Sequence, residues 1–279
     1  MDVQKLYEAL SEAEKKELHY LVQRRIQTES TLLEFKTEKH FIESIKSEKS
    51  DNKKHYLFTT YFQSDNHERQ GEYDFCVSKN KVADFDKIYL FVENKAEDII
   101  AARKIQSEPT DSDLCAPVEV VILDSRPNFR DFFDFMSAYE FGDSINIVAN
   151  TDIFFLNMQQ IDKNLHLLQS GKSCFALTRW DYHHNRPSNL FETNDSQDTW
   201  IFNGNQRVNL IENCEYPMGK LGCDNRLAHE IQMAGFIVTN PSRTIQTFHL
   251  HDVPVRTYNA NDPSAKVPKP YLLLEPTKI

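Results

Sequence analysis

The chain has 279 residues, of which 40% are hydrophobic and 11% aromatic, a composition that supports a globular core. Its formal net charge of −10 argues against a nucleic-acid binder, because phosphate contacts require clustered Lys and Arg. The five cysteines are scattered and never spaced as Cys-x-x-Cys, so neither a zinc site nor a disulfide framework is predicted, and a reducing, cytoplasmic location is expected.

Residues 1–50 are charged, with apolar residues at helical spacing and capping-box patterns beginning at Ser11 and Thr31. The pattern predicts a helical N-terminal extension, which either packs on the main domain or contacts another subunit. The N-terminus has no apolar signal core. No stretch approaches the roughly 18 consecutive apolar residues of a membrane span, so no transmembrane segment is expected.

From residue 51 to 253 apolar strands alternate with helical segments. Strands are predicted at 55–62, 87–93, 118–123 and 145–149, and helices at 69–80, 97–106 and 128–139. Such alternation predicts parallel strands joined by right-handed crossovers, and hence an α/β fold.

The second half of this domain is less regular. A helix is predicted at 162–170, a strand at 174–178, a strand at 199–202, a helix at 225–234 and a strand at 236–239. Residues 182–197 are polar and typical of a loop. Residues 254–279 contain several prolines and are expected to form an irregular tail.

The strand at 145–149 carries the first functional signal. It is a run of Ile and Val that ends abruptly in Asn150-Thr151-Asp152, as a buried central strand does. Ligands of open α/β sheets bind beyond the carboxyl ends of the strands, so these polar residues lie where a site is expected. The alternative is an ordinary Asx turn. The chain has only seven glycines, and it contains neither the Gly-x-Gly-x-x-Gly pattern of dinucleotide-binding folds nor the Gly-x-x-x-x-Gly-Lys-Ser/Thr pattern of a P-loop.

Two further polar segments follow strands or begin helices: Cys223-Asp224-Asn225 and the stretch from Thr247 to His251. Carboxylate and imidazole together suit Mn²⁺ or a Mg²⁺-like ion, so Asp152 and a late His are candidate metal ligands. Such an ion neutralises a diphosphate leaving group. Asp224 is then a candidate general base, and its alternative role is a helix N-cap.

These motifs resemble GT-A-fold, nucleotide-sugar-dependent glycosyltransferases over roughly residues 55–255. Asn150-Thr151-Asp152 is similar to their Asp-x-Asp motif with Asn in the first position. The stretch from Gly222 to Leu227, followed by 234–238 and Pro241, resembles the helix and strand that carry the base of the inverting members. Asn150 replaces an acid and Cys223 replaces the usual Glu, which puts metal dependence in question.

The resemblance implies a GT-A, Rossmann-like, mostly parallel mixed sheet flanked by helices. It implies a nucleoside diphosphate sugar donor, a glycan or glycolipid acceptor and a divalent cation, Mn²⁺ or Mg²⁺, held by Asp152 and His249, with His251 as the second choice. A glycolipid acceptor would allow peripheral contact with a membrane. The catalytic base is expected at Asp224.

The remaining site residues follow by position in the family. The donor-binding residues expected are Thr59, Thr60, Tyr61, Arg69, Glu93, Asn150, Thr151 and Asp152. Contacts with the acceptor or sugar are expected from Trp180, Asp181, Asp198 and Gly222. Several have structural alternatives: Arg69 and Glu72 as a helix-surface pair, Trp180 as a core residue, and Arg126 and Arg130, candidate diphosphate ligands, as surface residues of a turn.

Two other functions stay open at this stage. A sugar nucleotidyltransferase shares the fold, but the stretch after the first strand lacks the Gly-rich basic loop of that class. A non-catalytic carbohydrate-binding module with a degraded site is motivated by Asn150 and Cys223.

Overall fold

The protein is described here by a computed structural model. The structure describes residues 53–108, 115–139, 141–169, 171–255 and 266–279. The helical extension predicted at 1–50 lies outside the described residues and stays a prediction, as do the predicted domain boundaries. None of the described helices is long and apolar enough to cross a membrane.

The main feature is a seven-stranded mixed sheet. Its strands in chain order are β1 (Lys54–Thr60), β2 (Lys87–Glu93), β3 (Val118–Leu123), β4 (Ser144–Ala149), β6 (Ser173–Leu177), β9 (Thr199–Asn203) and β10 (Ile237–Thr239). Their spatial order is β10-β6-β9-β4-β1-β2-β3. All neighbours are parallel except β9, which is antiparallel to both β4 and β6. The predicted mostly parallel α/β sheet is confirmed.

The helices connect and cover these strands. They are α1 (His67–Val82), α2 (Ala96–Ser107), α3 (Phe129–Ala138), α4 (Gln159–Asp162), α5 (Leu165–Gln169) and α6 (Cys223–Met233). Helix α3 begins with a capping box, in which Asn128 accepts from backbone N–H groups while Asp131 accepts from the N–H of Asn128. Both faces of the sheet are covered by apolar side chains, and every residue of β4 is buried. This burial accounts for the continuous Ile and Val of β4.

The structure also contains a second sheet, of four strands. It contains β5 (Ile153–Phe154), β7 (Trp180–His183), β8 (Arg186–Leu190) and β11 (Phe248–Leu250) in the order β5-β11-β7-β8. The loop predicted at 182–197 is therefore wrong for residues 182–183, which end β7, and for residues 186–190, which form β8. Its pairing with β7 makes a hairpin that polar composition alone conceals.

Strands β1 and β4 are parallel neighbours, and the strand order of the sheet reverses between them. Strand β1 continues to β2 on one side, whereas β4 begins the other half of the sheet. The ends of these two strands are tied together, because the Thr60 and Thr151 hydroxyl oxygens lie 2.7 Å apart. Open α/β folds bind ligands at such a switch point, beyond the carboxyl ends of the strands.

The last described segment, residues 266–279, has no helix and runs across the main domain. Leu221 and Lys266 form an isolated bridge, and the backbone N–H of Leu272 donates to the carbonyl of Asn225. Tyr271 lies against Gly222, which has a φ of +76°, and a Cβ atom at Gly222 would come within 2.6 Å of the Tyr271 hydroxyl. The segment thus fixes the start of α6.

Candidate active site

A cavity of about 720 Å³ opens at the carboxyl ends of β1 and β4. It is lined by ten residues singled out from the sequence as donor, sugar, metal or diphosphate ligands: Thr60, Tyr61, Arg69, Glu93, Arg126, Asn150, Thr151, Asp152, Asp181 and His249. His251, the second choice as metal ligand, also lines it. The fold therefore brings together, at the carboxyl ends of the strands, residues as distant in the chain as Thr60 and His251.

Asp152 is the centre of the polar cluster in this cavity. Its Oδ2 accepts from the Arg69 guanidinium and lies 3.2 Å from His249 Nε2 and 3.7 Å from His251 Nδ1. Burial raises the pKa of this carboxyl, but the charge of His249, hydrogen bonds from His249 and His251 and the charge of Arg69 outweigh it and hold the pKa well below its usual value. Asp152 is therefore an anion at neutral pH.

His249 is the partner most strongly affected by Asp152. Burial lowers its pKa, but the negative charge of Asp152 and hydrogen bonds to Asp152 and Asp181 raise it to about 9. Its Nδ1 lies 3.4 Å from an oxygen of Asp181. Without another ligand, His249 is therefore a cation at neutral pH, and it balances the charge of Asp152.

Arg69 is held rigidly behind this cluster by helix α1. Its guanidinium pairs with both Glu72 and Asp152, donates to the carbonyl of Leu250 at 3.0 Å and donates through Nε to the Tyr73 hydroxyl. Its side chain is 5% exposed. The alternative of a helix-surface pair with Glu72 is wrong, because this ion pair is buried and Glu72 accepts from the backbone N–H groups of Asp252 and Val253, in the segment after β11.

Asp152, His249 and His251 offer one carboxylate oxygen and two imidazole nitrogens that all lie within 4.8 Å of one another. This mixed oxygen and nitrogen donor set fits a divalent transition-metal ion such as Mn²⁺. Asn150 adds a further acceptor: its Nδ2 donates to Asp198, while its Oδ1 is buried with no hydrogen-bond partner among the described residues. These side chains fit the expected cation.

Arg179 is the centre of a second charged cluster beside the cavity. Arg179 donates to Asp181 at 3.0 Å, to Asp198 at 3.1 Å and to the Ser196 hydroxyl at 2.6 Å. Asp198 also accepts from Asn150 at 2.7 Å, so both of its oxygens are occupied within the protein. Asp198 thereby orients Arg179 and Asn150, and it is not among the residues that line the cavity.

Asp224 lies in the first turn of α6, immediately after Gly222 and Cys223. Burial and the negative charge of Asp198 raise its pKa well above the usual value, against the opposing effects of the Cys223 thiol and Arg179. The Cys223 thiol donates to its Oδ1 at 3.1 Å. A carboxylate of raised pKa is suited to accept a proton. Met218 and Gly219, in the turn before α6, line the cavity, but Asp224 itself does not.

Other predicted contacts lie away from the cavity. Thr59 is buried within β1, and Gly222 packs under Tyr271. Trp180 is half-buried, packs against a small apolar cluster and donates through its Nε1 to the carbonyl of Ser242 at 2.8 Å, which favours its structural alternative. Arg130 contacts Glu215 and Asp134 outside the cavity.

Tyr61 lines the cavity, but its hydroxyl is bonded to Asp74 and Gln70, so only the rest of this residue is available to a ligand.

Several residues that line the cavity were missed from the sequence. Arg179 follows β6, so the expectation that ligands bind beyond the carboxyl ends of strands, which identified Asp152, would also have identified Arg179. Asp98 lies in the first turn of α2 and accepts from the backbone N–H of Gln63 at 2.6 Å, and burial raises its pKa. Arg186 and His183 belong to the hairpin that was predicted as a loop.

No family model matches this sequence, and no curated protein matches it. Among solved structures, S. aureus TarS 1-349 in complex with UDP-GlcNAc is 9% identical with a TM-score of 0.49; the match covers 73% of this chain and 60% of that chain. The mannosyltransferase PcManGT from Pyrobaculum calidifontis, in complex with GDP-Man and Mn²⁺, is 11% identical with a TM-score of 0.47, covering 85% of this chain and 69% of that chain.

A third solved structure, 4-diphosphocytidyl-2C-methyl-D-erythritol synthase, is 10% identical with a TM-score of 0.39; the match covers 76% of this chain and 97% of that chain. Likeness at this level of identity concerns the fold of the chain and not its activity.

Proposed function

We propose that this chain is a glycosyltransferase that uses a nucleoside diphosphate sugar and transfers the sugar to a hydroxyl group of a glycan or glycolipid. The observation that carries the proposal is the Asp152–His249–His251 cluster, which faces a 720 Å³ cavity at the switch point of the sheet. This is where an α/β fold binds a nucleotide. The donor set is also one that binds a cation able to hold a diphosphate.

The nucleotide is proposed to bind on the β1 and β2 side of the cavity. Thr60, Glu93 and Asp98 supply hydroxyl and carboxylate groups there, and Lys95 pairs with Glu93 at 2.9 Å. The diphosphate would then lie at the ends of β4 and β11, near Asp152 and His249. A divalent cation bound by Asp152, His249 and His251 would supply Lewis-acid stabilisation of the departing diphosphate.

The proposed reaction is a single displacement with inversion. The acceptor oxygen attacks the anomeric carbon, the bond between that carbon and the diphosphate oxygen breaks, and the electron pair leaves with the diphosphate. The acceptor proton passes to the carboxylate of Asp224. Its raised pKa favours this transfer, because a carboxylate of higher pKa is a stronger base. Asn150 and Arg179, both oriented by Asp198, line the cavity, and Met218 and Gly219 line it in the turn that leads to Asp224.

Binding of the donor tests the proposal. UDP-, GDP- and CMP-sugars are added to the protein with and without Mn²⁺, and the melting temperature is measured. A donor at 100 times its Kd stabilises the protein by about 2.7 kcal/mol, a shift of roughly 5–10 °C. The shift should be lost in Asp152→Asn and retained in Arg103→Gln, an exposed control on α2.

The same samples separate the two rival functions. A sugar nucleotidyltransferase would release pyrophosphate from a nucleoside triphosphate and a sugar phosphate. A non-catalytic module would show no donor shift and no hydrolysis of any donor. Either result would contradict the proposed transferase.

A further inference from the structure

The β7–β8 hairpin places an arginine in the cavity that the proposed reaction does not use. Five Lys and Arg side chains line the cavity: Arg69, Lys95, Arg126, Arg179 and Arg186. Three of them form ion pairs with carboxylates, namely Arg69 with Asp152, Lys95 with Glu93 and Arg179 with Asp181. Among the described residues, Arg126 and Arg186 have no carboxylate partner. Of these two, Arg186 is oriented by a side chain, that of His183, whereas Arg126 donates to the backbone carbonyl of Met218.

A β-bulge turns Arg186 toward the cavity. Asp181 is paired with Asn189 and His183 with Arg186, so the single residue of β7 between these pairs lies opposite two residues of β8. In a regular strand, residues three apart point to opposite faces. The extra residue on β8 brings Arg186 and Asn189 to the same face, and both line the cavity. The position of Arg186 is therefore fixed by the pairing of the hairpin.

The contacts of Arg186 fix the tautomer of His183. Arg186 Nη2 lies 2.6 Å from His183 Nε2, and His183 Nδ1 lies 2.9 Å from Asp252 Oδ1. A guanidinium can only donate, so Nε2 must be the acceptor and the proton of the neutral ring lies on Nδ1. Nδ1 then donates to Asp252. This chain of two hydrogen bonds holds the guanidinium in place and leaves four of its five N–H donors for a ligand.

The hairpin end lies beside the metal-ligand cluster but not within it. Strands β11 and β7 are parallel, and their last pair is Leu250 with Tyr182, so the next residues are His251 and His183. His251 belongs to the candidate metal cluster, and Arg186 lies one strand beyond His183. Two strand spacings are about 10 Å, which is more than one diphosphate group spans.

We propose that Arg186, oriented by His183 and Asp252, binds an anionic group of the acceptor, either a phosphate or a carboxylate. The assignment to the acceptor rests on the proposed function, in which the donor diphosphate occupies the Asp152 end of the cavity. A planar guanidinium with free donors matches such oxyanions by paired hydrogen bonds. Asn189, on the same face, adds an amide donor. The acceptor would therefore be a sugar or polyol that carries negative charge near the hydroxyl that reacts.

Calorimetric titration of the full chain tests this subsite. The protein is saturated with the nucleoside diphosphate that gives the largest thermal shift and titrated with glycerol 3-phosphate, with glycerol as the uncharged comparison. Glycerol 3-phosphate should bind, and glycerol should not. Arg186→Gln should weaken the binding of glycerol 3-phosphate by about tenfold or more. Arg103→Gln, which removes the same charge from an exposed position outside the cavity, should leave it unchanged.

Two further measurements test whether Arg186 binds the acceptor and not the donor, and whether its binding depends on the paired geometry of the guanidinium. The Kd of the nucleoside diphosphate should be the same in Arg186→Gln and the unaltered protein; a weakened Kd would assign Arg186 to the donor and overturn the acceptor assignment. Arg186→Lys, which keeps the charge but loses the paired geometry, should bind glycerol 3-phosphate with intermediate affinity. Equal binding in Arg186→Gln and the unaltered protein, or none in either, would also overturn the proposal.

Failure of the transferase is separable from failure of this subsite. If no nucleotide binds, the same titration is carried out on the free protein. Binding of glycerol 3-phosphate that depends on Arg186 would then uphold the anion subsite while the transferase is rejected.

Discussion

The ion pair between Asp152 and His249 makes stability depend on pH in a defined direction. His249 has a pKa of about 9 in the folded protein, against 6.5 as the ordinary value, because the Asp152 carboxylate stabilises the imidazolium. A raised pKa stabilises the folded state fully below pH 6.5, and this stabilisation is lost as the pH rises through about 9. We therefore expect the free energy of unfolding to fall between these limits.

The size of the effect follows from the two pKa values. A rise from 6.5 to about 9 corresponds to about 3 kcal/mol. Solvent screening removes little of it, because the side chains of His249 and Asp152 are only 11% and 14% exposed. Asp152→Asn removes the anion that raises the pKa, so its stability should change much less over this pH range.

The assay is urea unfolding of both proteins at pH 6, 7.5 and 9.5 with EDTA present, so that no divalent ion competes for the histidine. The difference in stability between the unaltered protein and Asp152→Asn should shrink by about 2–3 kcal/mol from pH 6 to pH 9.5. This difference cancels the contributions of groups whose pKa does not depend on Asp152. A difference that is constant with pH would refute the coupling of Asp152 to His249.

Three other changes give distinct outcomes. Asp224→Asn should lower transfer about 10²- to 10⁴-fold while the donor Kd, measured by calorimetry, stays the same; unaltered turnover would exclude Asp224 as the base. Because metal binding requires neutral imidazole, the apparent affinity for Mn²⁺ should increase from pH 6.5 to 8.5 in a fluorescence or calorimetric titration, and an affinity independent of pH would contradict His249 as a ligand. Arg69→Gln leaves Glu72 and Asp152 without their shared cation in a buried site, so urea unfolding should show a loss of about 3–5 kcal/mol, whereas a loss below about 1 kcal/mol would show that the site is effectively solvated.

The central part of the fold could be predicted from the sequence because its signals are local. Strands β1 to β4 are apolar runs of six or seven residues, and their helices are long enough to show periodicity. The abrupt change from Ala149 to Asn150-Thr151-Asp152 marks the end of a buried strand. Because ligands of open α/β sheets bind beyond the carboxyl ends of the strands, this change was sufficient to predict that Asp152 lies in the cavity.

The second sheet could not be predicted in the same way. Strands β5 and β11 have only two and three residues, and β8 is a polar strand that contains Pro187. Its formation depends on pairing with β7 and on a bulge, neither of which leaves a periodic pattern in the sequence. Arg186 and His183 were missed for this reason.

Roles that depend on packing were also outside the reach of the sequence. Trp180 and Asp198 were expected to contact the acceptor or sugar, yet Trp180 packs against a small apolar cluster and Asp198 is bonded to Arg179 and Asn150. Both residues lie near the ends of strands, where an apolar contact and a ligand contact have the same sequence pattern. Only the direction of the side chain separates the two, and tertiary contacts set that direction.

The most direct test of the proposed function is turnover of a nucleotide sugar, followed by proton NMR in the presence of Mn²⁺ and a sugar phosphate or polyol phosphate acceptor. The account predicts release of the nucleoside diphosphate, together with a new glycosidic anomeric signal of configuration opposite to that of the donor. Retained configuration would contradict the single displacement with Asp224 as base. No nucleoside diphosphate release from any donor, or pyrophosphate release from a nucleoside triphosphate instead, would contradict the transferase itself.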